Sequence, residues 1–232
     1  MSKILTFSYD DGVTQDIRLI ELLNRYGMKA TFNLNSELLG RGGYLMRADQ
    51  KIDHIKVDPA DVKSIYIGHE VAAHTKTHPL LPAFENDADI IAEVEEDRLK
   101  LSELCGYEVV GMAYPCGGKN YDRRVSEIIK ANTGIRYART IESCGHFKTQ
   151  DNLHEFHPTA FHMANSLDNL DELFKKGEEF LELNTDEKSV FYIWGHAYEF
   201  DVYNTWDKFE EFLKMMANRP DISYLTNKEA LL

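Results

Sequence analysis

Thr6-Phe7-Ser8-Tyr9-Asp10-Asp11-Gly12 closes an apolar run begun by Ile4 and Leu5, so a strand starts almost at once and ends in two adjacent carboxylates. Side chains alternate across a strand, so Asp10 and Asp11 point in opposite directions. One can then hold a metal while its neighbour approaches from another side as a base. About sixty residues on, His74-Thr75-Lys76-Thr77-His78 supplies two imidazoles four apart, on one face of a helical turn. One Asp and two His leave open positions on zinc or a similar divalent ion, as in a catalytic site. Each piece alone is weak, since nine histidines in 232 residues make an isolated His-x-x-x-His unremarkable. A zincin is excluded: Thr75 follows His74 where that motif needs Glu, and His69-Glu70 has Ala73 where its second His should stand.

Strand and helix signals alternate outward from that stretch, with no internal repeat or low-complexity tract. Thr14 can cap a helix to Tyr26, with Ile17, Ile20 and Leu23 on its inner face and Gly27 as its stop. Ala30-Thr31-Phe32-Asn33-Leu34 reads as a second strand, and Val71-Ala72-Ala73 leads into the histidine pair. A long helix is predicted over 86–104, closed by Gly106, then a strand over 109–113, a helix over 121–132 and a strand over 135–139. Residues 160–163 are strand-like, and a helix follows from Ser166 to about Leu183. Val190-Phe191-Tyr192-Ile193-Trp194 is apolar enough for a strand covered on both faces. A helix over 205–217 and a strand at Ser223-Tyr224-Leu225 complete the series. Residues 36–67 are less regular: Arg41-Gly42-Gly43 turns the chain and Asp58-Pro59 starts a short helix. That segment is either an arm over the site or a surface excursion. About seven strands alternating with helices predict an α/β fold with a parallel sheet, open or closed, in a single domain over 1–232.

The formal charge of −13 argues against nucleic acid, anionic membrane lipid or polyanionic glycans as partners, and favours a neutral or cationic substrate. No stretch approaches the length of a transmembrane helix, and no signal peptide precedes the first strand. Three cysteines, Cys105, Cys116 and Cys144, form no disulfide framework, so a reducing cytoplasm is the expected compartment. The sequence does not set the oligomeric state.

The order of the motifs carries more weight than any one of them. Thr6-Phe7-Ser8-Tyr9-Asp10-Asp11-Gly12 resembles the first motif of the polysaccharide deacetylase family, the NodB-homology group of carbohydrate esterases. Gly68-His69-Glu70-Val71-Ala72-Ala73-His74-Thr75-Lys76-Thr77-His78 resembles the second, Met112-Ala113-Tyr114-Pro115-Cys116-Gly117 sits where the third belongs, and Trp194-Gly195-His196 resembles the last. Two departures stand out. The family's usual Arg-x-Pro-Tyr has Ala113 and Cys116 in place of the Arg and Tyr, and no Asp-x-x-Asp-Trp appears near 136–145.

The resemblance implies an irregular, TIM-like (β/α) barrel with its site at the C-terminal ends of the strands. It implies Asp11, His74 and His78 as ligands of a divalent metal, Zn2+ first and Co2+, Ni2+, Mn2+ or Fe2+ as alternatives. It makes Asp10 the general base and His196 the general acid that protonates the departing amine. The arginine missing at Ala113 would be the partner of Asp10, and Arg139 on the next strand either replaces it or forms an ordinary surface salt bridge. Pro115 has no N–H, so the Cys116 amide is the first donor after it, assigned by resemblance to an oxyanion. The Cys116 thiol reaching the metal is an alternative. Tyr114 and Trp194 are candidates for stacking on a sugar ring, or for ordinary packing. His162 is the best placed of the histidines without a role.

The implied activity is metal-dependent removal of an N-acetyl, or O-acetyl, group from a small or oligomeric acetylated sugar. A second enzyme reading is hydrolysis of a non-sugar or cyclic amide, as in allantoinase-type relatives. A reading from another class is a carbohydrate- or metal-binding domain without turnover, for which Asp10 and His196 would have no job. An Fe(II) oxygenase site likewise leaves Asp10 idle.

Overall fold

The computed structural model describes residues 3–163 and 170–232. In chain order its elements are β1 (Lys3–Asp10), α1 (Gln15–Arg25), β2 (Ala30–Leu34), β3 (Tyr44–Arg47), β4 (Gln50–Asp53), α2 (Val62–Ile65), β5 (Glu70–Ala73) and α3 (Asp87–Cys105). There follow β6 (Gly111–Ala113), α4 (Arg123–Asn132), β7 (Tyr137–Arg139), β8 (Ala160–Phe161), α5 (Asp171–Glu182) and β9 (Ser189–Gly195). The chain ends with α6 (Glu199–Val202), α7 (Trp206–Met216), β10 (Ile222–Tyr224) and α8 (Asn227–Leu231). The helix start expected at Ser166 lies outside the described residues.

Seven strands run β7-β6-β5-β2-β1-β9-β8, every pairing parallel, and curl into a half-barrel with helices around it. β1 lies at the centre because nothing in it needs solvent: Leu5, Phe7 and Tyr9 are fully buried on one side and Thr6 and Ser8 on the other. Each such aromatic or aliphatic side chain contributes roughly 1.5–3 kcal/mol by leaving water. The sheet's outer strands are not laddered together. Phe156 instead bonds β7, its N–H donating to Ala138 O at 2.9 Å, and four residues later β8 pairs with β9, so one short segment spans the gap.

Local signals account for the helices. Asn86 accepts from Ala88 N–H and Asp122 from Val125 N–H at the starts of α3 and α4, while Gly106 ends α3 at φ 77°. Thr14 makes no side-chain cap, and Ile17 is 43% exposed, so the buried face of α1 is Leu19, Ile20, Leu22 and Leu23 rather than the stripe through Ile17. The arm over 36–67 is a real substructure. β3 and β4 form an antiparallel hairpin whose two turn residues, Ala48 and Asp49, both have positive φ, the backbone of a type I′ turn. Its base is tied to the end of β1, where Thr14 N–H donates to Ile55 O at 2.8 Å and Val57 N–H to Gly12 O at 3.0 Å. Among the described residues no helix is long and apolar enough to cross a membrane.

Candidate active site

Strand register assembles the site. Asp10 ends β1 opposite Asn33 of β2, and Asn33 Nδ2 donates to Asp10 Oδ1 at 2.8 Å. Ala113 of β6 stands opposite Arg139 of β7, so the guanidinium absent from Ala113 arrives from the neighbouring strand. Arg139 Nη2 donates to Asp10 Oδ1 at 2.6 Å and Oδ2 at 2.5 Å, with both side chains inside the core. Burial alone would raise the Asp10 carboxyl. Arg139, with His74 and His196, more than offsets it and holds Asp10 below the ordinary carboxylate range. The pair is therefore no surface salt bridge. Trp194 lines the cavity and lies over the Arg139 guanidinium, ring centre 4.6 Å from Cζ.

The neighbouring carboxylate diverges for a reason other than pleating. Asp11 has left the strand, at φ 84°, and is followed by Gly12 at φ 61°. His74 and His78 are likewise not on a helical turn: Thr75 and His78 have φ of 66° and 62° in a loop beyond β5. Left-handed backbone at non-glycine residues costs on the order of 1–3 kcal/mol each and persists only where its surroundings enforce it. Here α3 enforces it, through Glu93 accepting Thr77 N–H and Oγ1–H at 3.0 and 2.8 Å, and Asp97 accepting His74 N–H at 3.0 Å. Burial pushes Asp97 up to about 7.

The result is that Asp11, His74 and His78 each offer a donor atom within 4.8 Å of the others. His74 Nδ1 lies 2.8 Å from Ala113 O; a carbonyl can only accept, so that nitrogen carries the proton and Nε2 keeps its lone pair. Burial lowers the His74 pKa to about 4 and lowers that of His78 as well, leaving both neutral, as ligands must be. Burial would raise Asp11, but the His54 hydrogen bond and the Lys56 charge hold it well below the usual range. The donor set fits a divalent ion with open positions.

His54 and Lys56 come from the arm. His54 Nε2 is 3.2 Å from Asp11 Oδ2, and Lys56 Nζ is 3.3 Å from Oδ1 and 2.6 Å from the Asp11 carbonyl. Neither residue carried a sequence signal. Across the cavity, His196 Nδ1 lies 3.3 Å from Glu199 Oε1, and the His196 backbone N–H donates to Glu199 Oε2 at 2.9 Å. Burial would lower the His196 pKa; Glu199, with Asp11 and Asp10, raises it instead, to about 9. His162 joins this group, with Nε2 2.6 Å from Glu199 Oε2 and Nδ1 3.5 Å from the Tyr9 hydroxyl. Gly195 is what admits its ring, since a Cβ there would meet His162 Nε2 at 2.4 Å.

The remaining expected residues divide. Cys116 lines the cavity at φ 70°, its N–H 3.5 Å from His78 Nε2 and its thiol, raised by burial, 3.7 Å from His78 Nδ1. It is not among the clustered donors. Tyr114 is a correction: it is fully buried, its hydroxyl donating to His154 O at 2.8 Å and its ring stacked on Tyr121, so it cannot meet a sugar. Pro115 is buried beside it. The cavity above these groups measures about 570 Å³.

The sequence profile of polysaccharide deacetylases matches residues 1–138. The chain belongs to the polysaccharide deacetylase family. No curated protein matches it by sequence. Among solved structures, the Xyl-CE4 domain of a multidomain xylanase from the hindgut metagenome of Trinervitermes trinervoides superposes with a TM-score of 0.60 at 14% identity, over 99% of this chain and 90% of that one. A family 4 acetyl xylan esterase from Clostridium thermocellum, in complex with cobalt, gives 0.58 at 12% identity over 98% and 89% of the two chains. The peptidoglycan deacetylase PdaC from Bacillus subtilis gives 0.58 at 14% over 98% and 89%. These likenesses establish the fold that the half-barrel shares, a (β/α) barrel.

Proposed function

We propose that the protein is a metal-dependent hydrolase that removes an N-acetyl, or alternatively an O-acetyl, group from a sugar or oligosaccharide. The observation that carries this reading is a carboxylate and an imidazole placed on two sides of one candidate metal cluster, each with a partner of opposite charge. Arg139 engages Asp10 on one side of Asp11, His74 and His78, and Glu199 lies beside His196 on the other. A binding module needs neither.

Asp11, His74 and His78 would hold a divalent ion, zinc being the first candidate, which would supply Lewis acidity toward water and the acetyl carbonyl. Asp10 accepts the proton of the attacking water as the new C–O bond forms. The Cys116 N–H, the first backbone donor after Pro115, which has none, is the group assigned to the oxyanion. His196 gives its proton to the nitrogen as the C–N bond breaks, because an amine leaves poorly until protonated. The products are acetate and the free amino sugar. Metal analysis of the purified protein, followed by acetate release from N-acetyl sugars after zinc reconstitution, tests the proposal. Zinc-loaded protein that opens small cyclic amides but releases acetate from no sugar would move the activity to the amide class.

A further inference from the structure

The arm brings Arg41, Arg47 and Lys56 to the cavity lining, together with Tyr44, whose ring carries Lys51 Nζ at 4.3 Å. Lys56 is committed to Asp11. Arg41 and Arg47 are exposed, and among the described residues neither guanidinium meets a carboxylate; Arg47 reaches only the Met46 carbonyl, at 3.2 Å. The acids in the lining are Asp10 and Asp11, both already engaged by Arg139, His54 and Lys56. In a chain with 39 acidic and 26 basic side chains, the uncommitted charge of this cavity is positive, the reverse of what a random patch of the surface would give.

We infer that the substrate is an acetamido sugar bearing an anionic group, phosphate or carboxylate, which Arg41 and Arg47 hold while the acetyl group lies over Asp11, His74 and His78. This deepens the proposed deacetylase reading and rests on it. It also reverses the preference for neutral or cationic substrates read from net charge. The −13 acts from a distance and is screened beyond roughly 10 Å at 0.1 M salt, whereas a guanidinium fork acts by contact and matches carboxylate and phosphate geometry. A cavity of about 570 Å³ suits a ligand of one or two sugar units.

The test measures zinc-reconstituted protein on N-acetylglucosamine 6-phosphate and N-acetylmuramic acid against N-acetylglucosamine and its chitin disaccharide. Acetate release and, separately, calorimetric binding are followed for all four. At least one anionic sugar should exceed the neutral ones about tenfold or more in kcat/KM, mainly through KM, as a charge-assisted contact does. Whichever anion wins distinguishes phosphate from carboxylate. The anionic-to-neutral ratio should fall toward one in high salt and in Arg41→Gln/Arg47→Gln. A wild-type ratio near one, or a preference that survives the double variant, overturns the inference. Binding that prefers anionic sugars through Arg41 and Arg47, with acetate released from none, keeps it and overturns the deacetylase reading. Neither release nor preferential binding overturns both.

Discussion

The cavity has two walls made by different physics. One is the ends of β1, β6 and β7, where Asp10 and Arg139 are fixed by parallel ladders and lie inside the core. The other is the β3–β4 hairpin, mostly exposed, with β3 and β4 pairing only with each other. A buried carboxylate stays charged only while its partners cannot leave, so the chemistry sits on the ladders. An isolated hairpin has little to hold it beyond its own turn and a few contacts, and it can change side chains without unfolding the protein. It is the place for residues that meet the rest of a substrate.

The largest effects should therefore come from the base, the acid and the metal donors gathered at and just beyond the strand ends. Asp10→Asn and His196→Ala should each lower acetate release about 10²–10⁴-fold, the usual cost of a lost base or acid, while metal content stays stoichiometric. Ala at Asp11, His74 and His78 together should instead abolish metal retention. Near-normal rates in both single variants would sink the mechanism, and metal retained by the triple variant would sink the ligand assignment.

Arg139→Ala comes next, because it strands a buried charge. It should cost about 3–5 kcal/mol in denaturant unfolding. Asp10 has its folded pKa lowered, so the stability it contributes is present above the ordinary carboxylate range and is lost as pH falls. The gap between wild type and variant should narrow in acid. The acidic limb of the pH–rate profile should move up, with Arg139→Lys restoring it only in part. An unmoved limb in both variants would leave Arg139 as a packing residue.

Glu199→Gln perturbs the opposite side of the cavity more gently. His196 acts as an acid only while protonated, and Glu199 is the chief reason its pKa reaches about 9. With that charge removed, the alkaline limb should shift down toward the ordinary histidine value and activity should fade above neutrality, with metal content unchanged. A limb that stays in place shows that Glu199 merely packs.

The sequence made the ladder wall legible and left the other side obscure. Asp10, Asp11, His74, His78 and His196 stand in short runs whose order survives without coordinates; strand alternation with helices was enough for a parallel α/β sheet, and the family resemblance was needed to choose a barrel. Arg139 could be nominated because β7 follows β6, but its facing Ala113 needed the register. Glu199 and His162 were missed as partners because they lie 37 residues apart and meet only across Gly195. The hairpin was invisible because its turn is Ala48-Asp49 rather than the Asn-Gly that would announce it. The helical-turn reading of His74 and His78 failed for a related reason: spacing of four fits a helix, yet Glu93 and Asp97 of α3 hold a left-handed loop that spacing cannot encode.

The smallest expected effect tests whether the two walls are as separate as their construction implies. His54 belongs to the arm by sequence, yet its Nε2 sits 3.2 Å from Asp11 Oδ2, and it is a large part of why that carboxyl stays ionised despite burial. A hydrogen bond to a metal-binding carboxylate fixes the oxygen that does not ligate, and losing such a partner typically costs 10–100-fold in metal affinity. His54→Ala should thus weaken zinc by about that factor in a chelator competition, with the thermal unfolding of the metal-free protein little changed, since His54 lies at the cavity rim. His54→Asn, which keeps a donor on a shorter side chain, should recover part of the loss. Unchanged zinc affinity with a raised KM would put His54 with Arg41 and Arg47 in substrate binding, and the division between the walls would then be complete. A loss of affinity means that the hairpin, though built for exchange, has one side chain committed to the metal centre.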